Sequence, residues 1–529
     1  MPQTPSDIQS ALDPAGVPPP QITPVAEAGT NTYGQILKSS ALIGGSSVVN
    51  IGIGIIRMKA MALLLGPAGM GLMGIYGSIL GLAQSVASMG INSSGVRQIA
   101  EAVGSGEAER IGRTAIVLRR TAIVIGVLGA LLLLLFSRPI STLTFGSDQH
   151  RGAVAALSLA VFFLSVSGGQ GALIQGMRRI SDMARMGVLG ALFGTVISIP
   201  LIYYFRESGI VPSLIGVAAM TILTSWWYSR KIQIQAQPVT ISEWRQEAGA
   251  LLKLGVAFNA SWVLTMGAAY AIRLIVLRKV SFEAAGLYQS AWTLGGLYVG
   301  FILQAMVADF YPRLTAVAKD NGECNRLVNE QAEISLLLAG PGVIGTMTFA
   351  PLIIALLYTT KFAAALEPLR WICFGMALRV IAWPMGFIIL AKGVQSIFFW
   401  TEVAATVVHV GLAFILVSYF GLTGATMAFF GLYVWQGILI YIIVRRLSGF
   451  RWSRVNRRCV LLFLPAIGVV FCGFYWLPFW LATVAGTLAA LGTGIYSARM
   501  LVRLVPMGRV PRFIRQLLVG LRIAPSSIT

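Results

Sequence analysis

The chain has 529 residues, 56% of them hydrophobic and only 11% charged, with a mean hydropathy of +0.78, which excludes a soluble globular protein and indicates repeated membrane spans. Lys and Arg number 40 against 19 Asp and Glu, but this basic surplus lies between apolar runs, so it reads as a topology signal and not as a nucleic-acid surface. The four cysteines (Cys324, Cys373, Cys459 and Cys472) make no C-x-x-C pair and indicate neither a zinc site nor disulfides.

Residues 1–33 hold seven prolines and no Lys or Arg. They lack the basic and apolar regions of a signal peptide and read as a disordered Pro-rich cytoplasmic tail. The rest reads as all-α. The ~20-residue criterion gives about fourteen spans, at 40–64, 69–90, 118–137, 153–176, 187–205, 209–228, 254–277, 284–308, 333–358, 364–390, 394–419, 423–444, 459–476 and 478–498. They group into bundles at 34–232 and 233–450, two extra helices at 451–498 and a basic cytoplasmic tail at 499–529. With the N-terminus inside, 29 Lys/Arg fall in inner segments and six in outer ones, so both termini are expected in the cytoplasm. Segments 95–117 and 313–332 read as interfacial helices in equivalent places. Residues 510–522 read either as a basic interfacial helix or as a frayed tail.

A short pattern occurs twice. Ile56-Arg57 precedes the Gly66-Pro67-Ala68-Gly69 turn, and Ile272-Arg273 precedes Ala284-Ala285-Gly286. Arg97 follows the first copy by 28 residues, and Arg313 follows the second by 27. Two copies about 216 residues apart indicate a duplicated membrane protein.

Enzyme signatures are missing: there is no phosphate-binding G-x-x-x-x-G-K-[ST], no H-E-x-x-H and no G-x-S-x-G. The pair Gly52 and Gly54 reads as close helix packing. The informative chemistry is five cations inside spans, Arg57, Lys59, Arg273, Arg370 and Arg379, against one acid that lies well inside a span, Glu402. Five charges at mid-depth would cost roughly 12–18 kcal/mol, so either several snorkel to the interface or a wet, positive cavity exists. Arg57 shares a helix face with Gly54 and Asn50, and Arg273 with Tyr270, Trp262 and Asn259. Aromatic rings beside amides suit sugars, although ordinary packing explains Trp262 and Tyr270 equally. Glu402 and His409, seven apart on one face, could relay protons for ion coupling or pair with Arg379. Guanidinium groups in such a cavity favour an anionic, phosphate-bearing cargo.

The Gly66-Pro67-Ala68-Gly69-Met70-Gly71-Leu72 turn and the run Ala308-Asp309-Phe310-Tyr311-Pro312-Arg313-Leu314 resemble motifs of bacterial O-antigen translocases, the lipid-linked oligosaccharide flippases of the polysaccharide transporter family, with the lipid III flippase type as the nearest branch. Asp309, Tyr311, Pro312 and Arg313 carry the more specific part. The resemblance covers about residues 34–450. It implies two six-helix bundles related by a pseudo-two-fold along the membrane normal, alternating access in a bacterial inner membrane, and an undecaprenyl-diphosphate-linked glycan as cargo, with no cofactor. A polysaccharide polymerase and a chain-length regulator are the implied partners. The two extra helices resemble those of the lipid II flippase branch. The alternatives are an ion-coupled drug or metabolite exporter, which the scarcity of intramembrane acids disfavours, and a membrane glycosyltransferase or polymerase, which would need a large outer loop or acidic catalytic residues.

Overall fold

The structure, a computed structural model, describes residues 28–105, 107–232 and 238–504, with side chains from Gly45 onward except at 257–258 and 304–309. Fifteen α-helices follow one another, with no strand among the described residues: α1 (Ala28–Ser88), α2 (Ile91–Ser105), α3 (Ala108–Leu135), α4 (Ser137–Phe145), α5 (Arg151–Gly176), α6 (Ile180–Phe205), α7 (Ile210–Ser229), α8 (Ile241–Lys279), α9 (Phe282–Ala316), α10 (Asn321–Thr348), α11 (Ala350–Leu357), α12 (Leu366–Ala391), α13 (Gln395–Ser448), α14 (Arg454–Trp476) and α15 (Phe479–Leu504). Among them are nine stretches long and apolar enough to cross a membrane, or ten when α10 and α11, bent by 77°, count as one broken span. The protein is an all-α, multi-pass membrane protein.

Two of the longest helices are hairpins. Gly66 interrupts α1 with φ 65°, a conformation that side chains resist, and Pro67 opens the second arm. Before the break, Asn50 lies against Gly187 near the start of α6, and the Leu64 carbonyl accepts a bond from Arg206 beyond its end. After it, the Tyr76 hydroxyl meets His150 at the start of α5, Gln84 bonds Ser165 within it, and Gly90 abuts Gly255. The chain therefore runs to one end of the bundle, here called the His150 end, and returns to the Gly90 end. Gly421, with φ 55°, does the same for α13. There Leu416 meets Gly424, Leu412 meets Gly431, and the His409 ring lies 5.9 Å from that of Phe429.

The two copies of the repeated pattern touch. A Cβ on Gly71 would lie 2.0 Å from the Phe282 carbonyl oxygen, and one on Gly286 would lie 1.8 Å from that of Pro67. The contact is reciprocal, because Phe282 and Pro67 each stand four residues before the opposing glycine. It joins the start of α9 to the second arm of α1.

The start of α8 lies along α3. Thr240 and Glu243 form a capping box, Arg113 pairs with Glu243 and Glu247, and the Trp244 indole donates to Thr121 at 3.2 Å. The Thr240 backbone N–H and hydroxyl hold the Glu243 carboxyl below its ordinary range, with Arg113 adding to the effect. At the other end of the chain, α14 and α15 dock on α10. Asn456 donates to the Asn329 backbone and side-chain oxygens at 2.8 and 2.9 Å, and Gly340 and Gly486 admit Phe463 and Thr348.

Several expectations need correction. Helix α1 begins at Ala28, inside the stretch read as disordered, while 1–27 lie outside the described residues. Segment 95–117 contains most of α2, whose Ile91, Ile99 and Ala102 are buried against neighbouring helices. Segment 313–332 forms no separate helix: α9 runs through Ala316 and α10 starts at Asn321, so the two halves are not equivalent there. Span 333–358 is broken at Phe349, where Pro351 enters the first turn of α11. Helix α15 extends to Leu504, six residues into the expected tail, and 510–522 lie outside the described residues.

Candidate substrate cavity

Helices α8, α9, α12 and both arms of α13 enclose a cavity of about 440 Å³. Its lining starts near the Gly90 end, at Ser261, Leu390, Phe398 and Ile440, and advances to Arg273, Tyr288, Trp292, His409 and Phe429. The second group closes it toward the His150 end. The closure is aromatic: Trp292 stands edge-on to Phe429 at 4.9 Å, and Phe429 to Tyr433 at 5.0 Å.

Two arginines and one acid among the described residues charge the wall. Arg273 donates to Gln289 at 2.8 Å and to the Ala269 carbonyl at 3.0 Å, which orients the fork and leaves donors unused. Arg379 has a buried Nε with no hydrogen bond, and its guanidinium lies 5.9 Å from the Tyr433 ring. Glu402 faces the same space without forming an ion pair with either arginine. His409 is buried, with its Nε2 unpaired. Trp262 is 57% exposed on the wall.

The expected polar stripe on α8 divides into two faces. Trp262 and Arg273, eleven apart, face the cavity. Asn259 and Tyr270, also eleven apart, lie about 60° around the helix, because three residues advance it by 300°. Asn259 donates to the Ser85 carbonyl, and the Tyr270 hydroxyl meets that of Thr144 at 2.6 Å. These two residues bind α8 to the first bundle and do not line the cavity.

Other candidates also lie elsewhere. Lys59 donates to the Ala355 carbonyl at 2.9 Å and to that of Tyr358, so it caps the end of α11. Arg370 stacks on Phe474 of α14 at 3.7 Å. Arg57 is half-buried and Asn50 has an unpaired buried oxygen, but neither is part of this wall. Tyr311 packs against Phe387 at 5.8 Å, Pro312 lies inside α9, and Arg313 is exposed. The Asp309 side chain lies outside the described residues.

Sequence reasoning missed Trp292, Trp383, Tyr433 and Gln436 as lining residues, as well as Thr401 and Thr406. Glu402, Thr406 and His409 recur at four- and three-residue spacing on an apolar span, and that signal was available.

A family profile described as polysaccharide biosynthesis protein matches residues 60–367. Lipid III flippase of Escherichia coli (strain K12) is 24% identical over 407 residues, covering 75% of this chain and 95% of that protein, and its Shigella flexneri counterpart gives the same figures. Among solved structures, the inward closed conformation of the lipid II flippase MurJ aligns with TM-score 0.64 at 13% identity, covering 88% of this chain and all of that one. An inward-facing multidrug resistance transporter of the MATE family, MOP superfamily, aligns with TM-score 0.61 at 17% identity, over 76% and 94%. The chain shares the fold of these membrane transporters and belongs to the polysaccharide biosynthesis protein family.

Proposed function

We propose that this chain is a flippase that moves an undecaprenyl-diphosphate-linked oligosaccharide, an O-antigen or similar repeat unit, from the inner to the outer leaflet of a bacterial plasma membrane. The observation that carries this reading is a wide cavity in which Arg273 and Arg379 keep free donors while a single carboxylate is available to neutralise them. Guanidinium forks suit a diphosphate, and Trp262, Trp292 and Trp383 offer faces on which sugars stack. The lipid III flippases of Escherichia coli and Shigella flexneri, matched over 95% of their length, support the same class of cargo.

In this reading, residues 34–232 and 233–450 are two bundles related by the repeat, with fourteen crossings when hairpin arms are counted separately. The Gly90 end, where Arg97, Arg110, Arg230 and Arg451 lie, faces the cytoplasm together with both termini. An inside-negative potential favours outward movement of the anion by ~2.3 kcal/mol per charge per 100 mV. Glu402 and His409 supply a site for ion coupling beside the arginines. A polymerase and a chain-length regulator would receive the product. The one cavity carboxylate makes an exporter of cationic drugs the weaker reading.

Export of the glycan in a flippase-null strain, with protein levels matched, tests the proposal. Restoration by the wild-type chain is expected. Failure to restore export with every lipid-linked repeat unit tried would refute it.

A further inference from the structure

Cargo in this cavity can leave toward the His150 end only if the contacts beyond the closed end part. Besides apolar packing such as Leu277 of α8 among Leu72 and Ile75 of α1, four contacts of other kinds join α1 or α4 to α8 or α9. Gly71 abuts Gly286, Phe145 stacks on Phe282 at 6.2 Å, Thr144 bonds Tyr270, and Arg278 reaches α4. Three of them involve apolar, backbone or neutral polar groups. The fourth is a charge at a helix end. Arg278 Nη2 donates to the Thr142 and Leu143 carbonyls at 2.8 and 2.7 Å, and Nε donates to Leu143 at 3.3 Å. These are C-terminal carbonyls of α4, where the helix dipole is negative. Gly146 caps α4 with φ 81°, and a Cβ there would lie 2.5 Å from Arg278 Nη1, so the cup has room for the guanidinium only because that residue is glycine.

The next residue reaches the other way. Lys279 donates to the Phe414 carbonyl at 2.8 Å and to the Ser418 hydroxyl at 2.5 Å, both on the first arm of α13. The end of α8 is thus held to α13 through Lys279 and to α4 through Arg278.

We propose that Arg278 is a latch that holds the His150 end shut by plugging the C-terminus of α4, and that its withdrawal accompanies opening of the cavity toward that side. This rests on the alternating-access reading above. Arg278 is exposed, so substituting it leaves the packed interior intact. A latch of charge-assisted bonds present in only one of two states biases their populations by its own strength.

The test is thiol accessibility. A cysteine replaces Thr265 on the cavity wall, Cys472 is changed to alanine, and the three buried native cysteines are kept. A membrane-impermeant maleimide is applied to right-side-out and inside-out vesicles without cargo. Arg278→Ala, and Gly146→Ala from the opposite side of the contact, should raise labelling from the His150 side at least about tenfold. Arg278→Lys should give a smaller rise. Lys279→Ala, which leaves the α4 contact in place, should not raise it. Unchanged labelling in Arg278→Ala, or an equal rise in Lys279→Ala, would overturn the latch. Because the readout needs no glycan, a chain that carried some other cargo would still report it, which separates failure of the latch from failure of the cargo assignment.

Discussion

Gly71 and Gly286 each occupy the space that a side chain on the other would need. The backbone of α9 fills the position of a Gly71 Cβ, and the backbone of α1 fills that of a Gly286 Cβ. Such an approach leaves no flexible atom to give way. Gly71→Ala and Gly286→Ala should therefore each destabilise the purified protein by about 1–3 kcal/mol or more, as overpacking against backbone does. Gly77→Ala, on the same arm with nothing within 4 Å, is the control. Thermal unfolding in detergent checks this, and equal melting temperatures for Gly71→Ala and Gly77→Ala would contradict it.

The arginines of the cavity should not tolerate lysine. Arg273 is oriented by Gln289 and Ala269, so its remaining donors present a planar fork that an ammonium does not reproduce. Arg273→Lys and Arg379→Lys should each lower affinity for the lipid-linked cargo roughly 10- to 150-fold, the loss of one charge-assisted contact of about 1.5–3 kcal/mol. Arg57→Lys and Arg370→Lys, away from this wall, should cost far less. Binding of a radiolabelled diphosphate lipid to protein in nanodiscs distinguishes the two groups.

Glu402 and Arg379 line the same cavity without forming an ion pair, a placement suited to changing partners during the cycle. Glu402→Gln should reduce glycan export while membrane levels stay normal, and should flatten the dependence of export on external pH. An unchanged rate and an unchanged pH profile would remove Glu402 from the mechanism.

Topology is checked by reporter fusions placed in the connections between helices. Fusions at Glu107, Pro238 and Arg451 should report cytoplasm, and those at Asp148 and Lys361 the opposite side. The fusion at Pro238 is the most informative. It precedes α8, and a report from the outer side would leave the two halves without parallel orientation.

The fold was legible where hydrophobic length sets it. The hairpin turns at Gly66 and Gly421 coincide with the gaps between runs 40–64 and 69–90, and 394–419 and 423–444. The cavity was legible only in part, because apolar length says nothing of which face a residue takes. Arg273 and Arg379 were recognisable because a buried cation needs a reason. Asn259 and Tyr270 take a packing face, about 60° around α8 from the cavity face. A sequence stripe four residues wide cannot resolve that angle. Trp292 and Trp383 were overlooked because an aromatic on an apolar helix has the same pattern whether it packs or lines a space.

The connections at the His150 end are short: Gly66, residues 146–150, 206–209, 280–281 and 358–365, Gly421, and residues 477–478. Apart from the short helices α4 and α11, that face carries no folded platform among the described residues. A protein docking there would have to grip helix flanks within the lipid rather than a protruding domain.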